Sequence, residues 1–375
     1  MKIVIACDSF KESLSSKEVA LAIEDGFKTV YPDASYMKIP IADGGEGTVQ
    51  SLVEATSGTT IKINVKNPIG KNIDSYYGIL GDNKTAVIEM ATACGLDLLK
   101  EDEKNPMVTS TYGFGELILD ALNKGITDFI LGLGGSSTND AGIGMLQALG
   151  VKFFDKNQKE IGFGAQYIKE IKSIDISNLD KRLSKIKFKV ACDVNTILCG
   201  KNGATYTFGS QKGLNQNQIK ELDSHIHDFA LLCEKTFEKK TRVIKGCGAA
   251  GGVGFGLITF LNASLLSGID IVLNRINLSD KLKGADLVIT GEGRIDSQTS
   301  KGKVPVGVAR LAKRLGIPVI AICGATQEGY EEVYNHGIDA VFDITPKIIP
   351  LDIALKDAKQ NIKSTANNIA RVLKI

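Results

Sequence analysis

The sequence has no tryptophan and only three histidines among its 375 residues. Three histidines leave little material for a histidine metal site or for a catalytic triad that depends on histidine. Cysteine occurs seven times, an odd number, and no two cysteines form a C-x-x-C pair. This pattern favours reduced thiols and a cytoplasmic location over a disulfide framework or a zinc site.

The sequence also lacks an excess of charge of either sign. Forty-five basic and 43 acidic side chains give a net charge of +2, and the basic residues are scattered. Neither nucleic acid nor an anionic membrane surface is therefore an expected partner. We expect a small-molecule substrate and a monomer or homodimer.

One stretch, residues 246–269, carries no charge over 24 residues, which is long enough to span a bilayer. Seven of these residues are glycine, and Asn262, Ser264 and Ser267 interrupt the apolar part. Membrane spans are predominantly apolar, so we predict a buried, closely packed helix here. No membrane partner is expected.

Short apolar strands alternate with amphipathic helices at both ends of the chain, which is typical of a parallel, doubly wound sheet. Ser15 and Glu18 form a capping-box pattern before a helix predicted to run from about residue 16 to 29. The middle of the chain alternates in shorter steps and predicts antiparallel strands. The sequence thus predicts an α/β protein of two domains. A Rossmann-like sheet is built from both chain ends (1–64 plus 272–375), and a mixed α/β domain (65–271) is inserted into it.

Three polar loops follow apolar strands in the terminal domain: "ACDSFKESLSS" (6–16), "ADGGEGT" (42–48) and "TGEGRIDSQTSKGK" (290–303). Their candidate binding side chains are Asp8, Ser9, Lys11, Ser13, Asp43, Glu46, Glu292, Arg294 and Asp296. In a doubly wound sheet ligands bind outside the carboxyl ends of the strands, so these loops are expected to converge. Salt bridges within the loops and helix caps are the alternative explanation.

A fourth loop, "GLGGSSTND" (132–140), follows the strand "DFIL" and is predicted to open a helix. Its small and hydroxyl residues are Gly134, Gly135, Ser136, Ser137, Thr138 and Asn139. Main-chain N–H groups and hydroxyls at a helix N-terminus form an anion site, although an ordinary cap would also use such residues. Asp193 ends another apolar strand, where an Asx turn is the common reading.

The segment "GCGAAGG" (246–252) contains a literal G-x-G-x-x-G, but no acidic residue ends the next strand as a dinucleotide site requires. We predict that its glycines allow close helix packing, and an NAD-dependent oxidoreductase remains the alternative. No Walker A motif is present. The combined glycine loops, cations and carboxylates suit phosphoryl transfer, which needs all three around phosphate and Mg²⁺.

The motifs together resemble the glycerate kinase type 1 family. The resemblance runs almost end to end through "DSFKESLSSKEVA", "PIADGGEGTV", "GLGGSSTNDAGIGMLQALG", "ACDV", "FGSQKG", "GCGAAGG" and "TGEGRIDSQTSKGKVPVGVA". It implies two α/β domains with the active site in the cleft between them. It also implies ATP-dependent, Mg²⁺-requiring phosphorylation of D-glycerate, usually to 2-phosphoglycerate, with 3-phosphoglycerate as the other possible product. Cys7 and Ser210 replace prolines that are usual in the family.

With glycerate as acceptor, roles can be assigned to the candidate residues. Lys11 and Arg294 are expected to bind the glycerate carboxylate, since charge-assisted and bidentate bonds suit it. Ser9 and Ser13, with Asp43, would hold the hydroxyl side. The 134–139 loop would bind the ATP phosphates. The expected Mg²⁺ ligands are Glu292, Asp296 and Asp43.

Asp193 is the expected catalytic base, with Asp8 and Asp43 as rivals. A carboxylate- or sugar-binding protein without catalytic activity is the remaining alternative. It would bind glycerate without producing ADP.

Overall fold

In the computed structural model, residues 1–42, 47–347 and 349–375 are described. They form two compact units, residues 1–55 with 269–375 and residues 56–268. The α/β class predicted from the sequence is confirmed. The predicted boundary after residue 64 would cut the strand Thr59–Lys66, which pairs along its whole length with a strand of the second unit. The division therefore falls before that strand, at residue 55.

The strands in chain order are β1 (Lys2–Cys7), β2 (Ser35–Lys38), β3 (Thr59–Lys66), β4 (Asn72–Ile79), β5 (Thr85–Glu89), β6 (Asp128–Gly132), β7 (Lys152–Phe154), β8 (Ser173–Asp175), β9 (Lys187–Ala191), β10 (Ser264–Leu266), β11 (Leu287–Ile295), β12 (Val319–Thr326) and β13 (Ala340–Asp343). The α-helices are α1 (Ser16–Lys28), α2 (Thr48–Thr56), α3 (Ala91–Cys94), α4 (Tyr112–Asn123), α5 (Ile143–Ala148), α6 (Ala204–Phe208), α7 (Gln216–Phe237), α8 (Ala249–Leu261), α9 (Gly268–Arg275), α10 (Leu278–Leu282), α11 (Val304–Arg314), α12 (Leu351–Lys356) and α13 (Ala358–Leu373).

The sheet of the first unit has the strand order β13-β12-β11-β1-β2 and is parallel throughout. Strand β2 lies on one side of β1. Strand β11, which follows much later in the chain, lies on the other side of β1. This order matches the flavodoxin-like variant of doubly wound sheets more closely than the Rossmann order. Its switch point lies between β1 and β11, where such sheets bind their ligands.

Helices α1 and α13 cover one face of this sheet, because each has an apolar face that packs against the strands. Helix α1 begins with the predicted capping box, in which Ser15 and Glu18 bond each other's backbone N–H groups. Its buried residues pack with helix α13 and the strands in one apolar cluster. Gly26 brings the two helices close, since a Cβ there would lie 2.5 Å from the carbonyl oxygen of Lys363. Burying a large apolar side chain such as Phe27 contributes about 1.5–3 kcal/mol.

The second unit contains a mixed sheet of order β10-β9-β6-β5-β4-β3. Strands β10, β9, β6 and β5 are parallel, and β4 and β3 are antiparallel to their neighbours. The predicted antiparallel segments therefore form one edge, and a parallel half follows. Glu89, Gly132 and Ala191 stand in register at the carboxyl ends of β5, β6 and β9.

The uncharged stretch 246–269 is not one long helix. It forms the buried helix α8, then β10 and the start of α9. Within the described ranges, no helix combines the length and the apolar character needed to cross a bilayer. Gly251 has φ +66°, and a Cβ on it would lie 2.2 Å from the carbonyl oxygen of Thr138. The glycines thus allow close packing against the 138–142 segment, as predicted, and do not form an open dinucleotide loop.

Candidate active site

A pocket of about 650 Å³ opens at the carboxyl ends of β1, β11, β12 and β13 in the first unit. Five residues predicted from the sequence line it: Ser9, Lys11, Ser13, Glu292 and Arg294. They come from opposite ends of the chain and meet because β1 and β11 are adjacent parallel strands. The segments 6–16 and 290–303 therefore converge at one edge, as predicted, but residues 290–295, predicted as loop, continue strand β11 because they pair with β12.

The 8–13 loop has a fixed conformation that depends on its own polar groups. The main-chain N–H of Ser9 donates to Asp8 Oδ1 at 2.7 Å, and Asp8 is buried. The Ser13 hydroxyl donates to the carbonyl oxygen of Leu355 at 2.6 Å, which ties the loop to helix α12. Asp8 is thus an anchor of the loop behind the pocket wall. Ser9 and Lys11 are left to face the pocket.

Arg294 and Asp296 form an ion pair at the end of β11, with 3.0 Å between Arg294 Nε and Asp296 Oδ2. The other carboxylate oxygen of Asp296 accepts a hydrogen bond from the N–H of Gln298 at 2.8 Å. Burial acts to raise the pKa of Asp296, but this hydrogen bond and the charges of Lys303 and Arg294 outweigh it and lower the pKa. Asp296 therefore orients the Arg294 guanidinium, whose terminal nitrogens remain available.

Glu292 is a buried carboxylate that lines the pocket. Its Oε1 accepts from the Thr299 hydroxyl at 2.6 Å, and its Oε2 lies 3.6 Å from Lys303 Nζ. Lys303 also lines the pocket and is a site residue that our assignment of roles left out. Lys303 could have been identified from the sequence, because it belongs to the same polar segment, 290–303, as Glu292.

The donor set can be tested against Mg²⁺, which proteins usually hold through one or two carboxylates together with substrate phosphates and water. Glu292 fits this requirement because it faces the pocket. Asp296 fits less well, since both of its oxygens accept hydrogen bonds from protein groups. Within residues 1–42, 47–347 and 349–375 no three acidic, histidine or cysteine side chains cluster as a metal site would require. The predicted ligand Asp43, like Glu46, lies outside the described residues.

The second unit contains the predicted phosphate loop, and the loop differs from the prediction in one respect. Gly134 and Gly135 are exposed, but Ser137, Thr138 and Asn139 are buried. The following helix, α5, starts only at Ile143 and has six residues. The buried part of the loop is hydrogen-bonded to neighbouring protein groups. For instance, Ser137 Oγ donates to the carbonyl oxygen of Cys94. The exposed part of the loop is its main chain at 134–135.

A buried lysine that the sequence assignment missed lies beneath this loop. Lys212 Nζ donates to Ser136 Oγ at 2.9 Å and to the carbonyl oxygen of Thr138 at 2.7 Å. Burial lowers the pKa of Lys212 to about 7, and the nearby carboxylate of Asp140 acts in the opposite direction. The motif "FGSQKG" contains Lys212 and was the signal that could have found it.

Asp140, also buried, ends the loop and organises its neighbours. Its carboxylate accepts hydrogen bonds from the N–H and hydroxyl of Thr111 and from the N–H groups of Gly142 and Gly144. Burial raises the pKa of Asp140 despite these bonds. Asp140 and Lys212 together hold the 134–144 segment in one conformation.

Asp193, the predicted base, is exposed just after β9 in the second unit. Its Oδ1 accepts from the N–H of Gly268 at 3.1 Å. Strand β9 is the neighbour of β6, so Asp193 and the exposed glycines follow adjacent strands. Glu89 ends β5 on the other side of β6 and is buried. Asp193 and the glycine loop thus share one sheet edge.

The doubly wound sheet, the cationic pocket at its switch point and the ordered glycine loop define an α/β enzyme for small anionic substrates. The model of the glycerate kinase family matches residues 3–374. The glycerate kinase of Haemophilus influenzae is 53% identical over 373 residues, covering 100% of this chain and 99% of that protein. The glycerate 2-kinase of Escherichia coli K12 is 49% identical, with 100% and 98% of the two chains covered.

A crystal structure from Salmonella typhimurium LT2, provisionally named glycerate kinase 2, agrees with a TM-score of 0.91 at 48% identity. The match covers 100% of this chain and 98% of that one. The chain therefore belongs to the glycerate kinase family. It is an enzyme, a kinase with glycerate as its acceptor.

Proposed function

We propose that the protein is a type 1 glycerate kinase that transfers the γ-phosphoryl group of ATP to the 2-hydroxyl of D-glycerate. The observation that carries this proposal is the pocket at the β1–β11 switch point, where Lys11 and Arg294 face a space with a buried carboxylate. One anionic group and adjacent hydroxyls are what such a lining can bind. The full-length similarity to glycerate kinases supports the same acceptor.

Lys11 and Arg294 bind the glycerate carboxylate in this proposal. Asp296 holds the guanidinium through Nε, which leaves the two terminal nitrogens for a bidentate contact with a carboxylate. Ser9 then contacts a glycerate hydroxyl. Ser13 donates its hydrogen to Leu355 and can only accept a hydrogen bond from the substrate.

Glu292 is the proposed protein ligand of Mg²⁺, and Asp296 and Asp43 are further candidates. When bound, Mg²⁺ neutralises charge on the phosphate oxygens during transfer. Lys303, close to Glu292, adds a positive charge on the same side of the pocket.

In the second unit, the main-chain N–H groups of Gly134 and Gly135 and the hydroxyl of Ser136 are proposed to contact the phosphates. The buried side chains of Ser137, Thr138 and Asn139 support the loop instead. Asp193 is the proposed base for the acceptor hydroxyl, since it is exposed at the same sheet edge. That the two units share one cleft, and that the enzyme is a cytoplasmic monomer or homodimer, stay predictions.

The test is a coupled assay of ADP release with D-glycerate, ATP and Mg²⁺, repeated with each component omitted and with EDTA. ADP release that requires all three components supports the proposal. Glycerate binding without ADP release would instead indicate a binding protein. Phosphorus NMR of the product distinguishes 2-phosphoglycerate from 3-phosphoglycerate, and the 3-isomer would refute the proposed position.

A further inference from the structure

The pocket of the first unit is much larger than glycerate requires. Its volume of about 650 Å³ lies within the range of about 300–1,000 Å³ found for pockets that hold drug-sized ligands. Glycerate is a three-carbon acid and would fill a small part of it. The groups assigned to glycerate, Ser9, Lys11 and Arg294, all follow β1 or lie at the end of β11. The rest of the pocket has no occupant in that assignment.

The remaining wall is apolar and begins beside the 8–13 loop, where the carbonyl oxygen of Leu355 accepts a hydrogen bond from Ser13. It is built by Ile344 after β13, Ile349, and Leu351 and Leu355 of helix α12. Leu351 is 71% exposed although it is a large apolar residue. A partly buried apolar surface beside a charged one is the usual lining of a ligand pocket, in which a few polar groups fix the orientation.

The pocket extends across the sheet from the 8–13 loop to Ile344 after β13. Strands β11 and β12 lie between β1 and β13, and neighbouring strands are about 4.8 Å apart, so β1 and β13 are about 14 Å apart. The floor between them carries Gly293 and Gly324. A Cβ at Gly293 would lie 3.4 Å from the main-chain nitrogen of Lys11, so this part of β11 packs beside the 8–13 loop.

A ligand with an apolar part and an anionic part matches this lining. Lys303 and Glu292 line the same pocket, and a phosphate group and its metal ion would be expected near them. Asn361 of helix α13 also lines the pocket, and its side-chain amide can both donate and accept hydrogen bonds. An amide beside an apolar wall can recognise the edge of a purine base.

We propose that the wall formed by Ile344, Ile349, Leu351 and Leu355 binds the base and ribose of the ATP donor. Lys303 then contacts a phosphate of the donor, and glycerate contacts Ser9, Lys11 and Arg294. This inference rests on the proposed kinase function. It places the nucleoside part of ATP in the first unit, whereas the sequence had suggested only the 134–139 loop as a nucleotide site.

The test compares Leu351→Ser with Ile353→Ser. Ile353 is in the same helix and is exposed but does not line the pocket, so it is a matched control. Calorimetric titration with ADP and with adenosine, in the absence of glycerate, measures nucleoside binding without turnover. We expect Leu351→Ser to weaken both ligands about five- to tenfold, as loss of one apolar contact predicts. Ile353→Ser should bind both as the wild type does.

A second variant tests the phosphate contact separately from the apolar wall. Lys303→Met should weaken ADP while leaving adenosine unchanged, because only ADP carries phosphates. In turnover assays, Leu351→Ser should raise the KM for ATP and leave the KM for glycerate within about twofold.

Unchanged ADP and adenosine affinity in Leu351→Ser would overturn the inference while leaving glycerate phosphorylation by the wild type intact. A wild type that binds ADP through this wall but does not phosphorylate glycerate would overturn the proposed function alone. Wild-type protein that binds neither ADP nor adenosine would also overturn the inference.

Discussion

The ammonium nitrogen of Lys212 lies 2.9 Å from the hydroxyl oxygen of Ser136, and both side chains are buried. An ammonium group can only donate, so Ser136 accepts this bond and its own hydrogen is directed elsewhere. Ser136 directly follows the exposed glycines 134 and 135, and in the proposed function its hydrogen is donated to a phosphate oxygen. A second bond from Lys212 to the carbonyl of Thr138 fixes the loop on its other side.

We predict that Lys212→Met lowers kcat/KM for ATP by about tenfold or more. The loop loses the two hydrogen bonds that Lys212 Nζ donates, each worth about 0.5–1.5 kcal/mol for a neutral donor and more for a charged one. The KM for glycerate should change little, because Lys212 does not line the glycerate pocket. Steady-state kinetics with each substrate varied measures both effects. Lys220→Met, at an exposed position of α7, is the control. Wild-type kinetics in a folded Lys212→Met variant would contradict the role.

Lys212 also predicts a pH dependence of stability. Its pKa is about 7 in the folded protein, against about 10.4 in an unfolded chain. Between these values the unfolded chain binds a proton that the folded protein has lost, so this residue makes stability rise with pH from about 7 to about 10. Below pH 7 the full cost of burying the charge is present. Urea unfolding at pH 7 and pH 9 should show a smaller rise for Lys212→Met than for the wild type. Equal rises would refute the prediction.

Asp193→Asn should lower kcat by about 10²–10⁴-fold, the usual contribution of a general base. Asparagine keeps the side-chain oxygen that accepts from the Gly268 N–H, so the local structure should persist. The KM values for ATP and glycerate should therefore change little. Retention of more than about a third of the wild-type kcat would exclude Asp193 as the base and leave Asp8 and Asp43 as the candidates.

Arg294→Lys should raise the KM for glycerate by about tenfold or more, since lysine cannot form a bidentate contact with a carboxylate and cannot keep the planar pairing with Asp296. Lys11→Met should act in the same direction. Lys17→Met, on the exposed side of α1, serves as the control for loss of a nearby charge. An unchanged KM for glycerate in both pocket variants would place the carboxylate elsewhere.

Gly251→Ala should destabilise the protein by about 2 kcal/mol or more, because it combines a left-handed backbone with a Cβ 2.2 Å from the Thr138 carbonyl. Gly134→Ala is the matched comparison, since the space around its Cβ is open and its φ is ordinary. That variant should unfold like the wild type and yet weaken ATP use if the loop contacts phosphate. Thermal unfolding and ATP kinetics measure the two effects. Equal stability of both variants would contradict the packing role of Gly251.

Local patterns in the sequence were sufficient for much of the fold. The Ser15–Glu18 capping box and the apolar spacing of α1 are local, and the helix begins where they predict. The end of β11 was also predictable as a site, because parallel strands place their loops at one edge. The predicted boundary after residue 64 differs from the division at residue 55, because β3 joins its unit by pairing with β4, which is a contact between strands.

The candidate site was likewise predictable from the sequence only in part. Residue type and position near the carboxyl end of a strand identified Lys11, Glu292 and Arg294, although the structure places Glu292 and Arg294 within β11 itself. Burial separated the hydroxyl loop into exposed glycines and the supporting side chains of Ser137 and Thr138, and no pattern within "GGSSTN" distinguishes them.

The sequence by itself determined the family, the α/β class and the loops that carry charge, because these depend on residue types and their local spacing. The tertiary structure alone decided which side chains of those loops are buried and which line a pocket. It brought Lys212 under a loop 76 residues earlier in the chain and set an apolar wall beside the cationic end of a pocket. Those contacts arise from the packing of segments that are distant in sequence, and burial is a property of that packing.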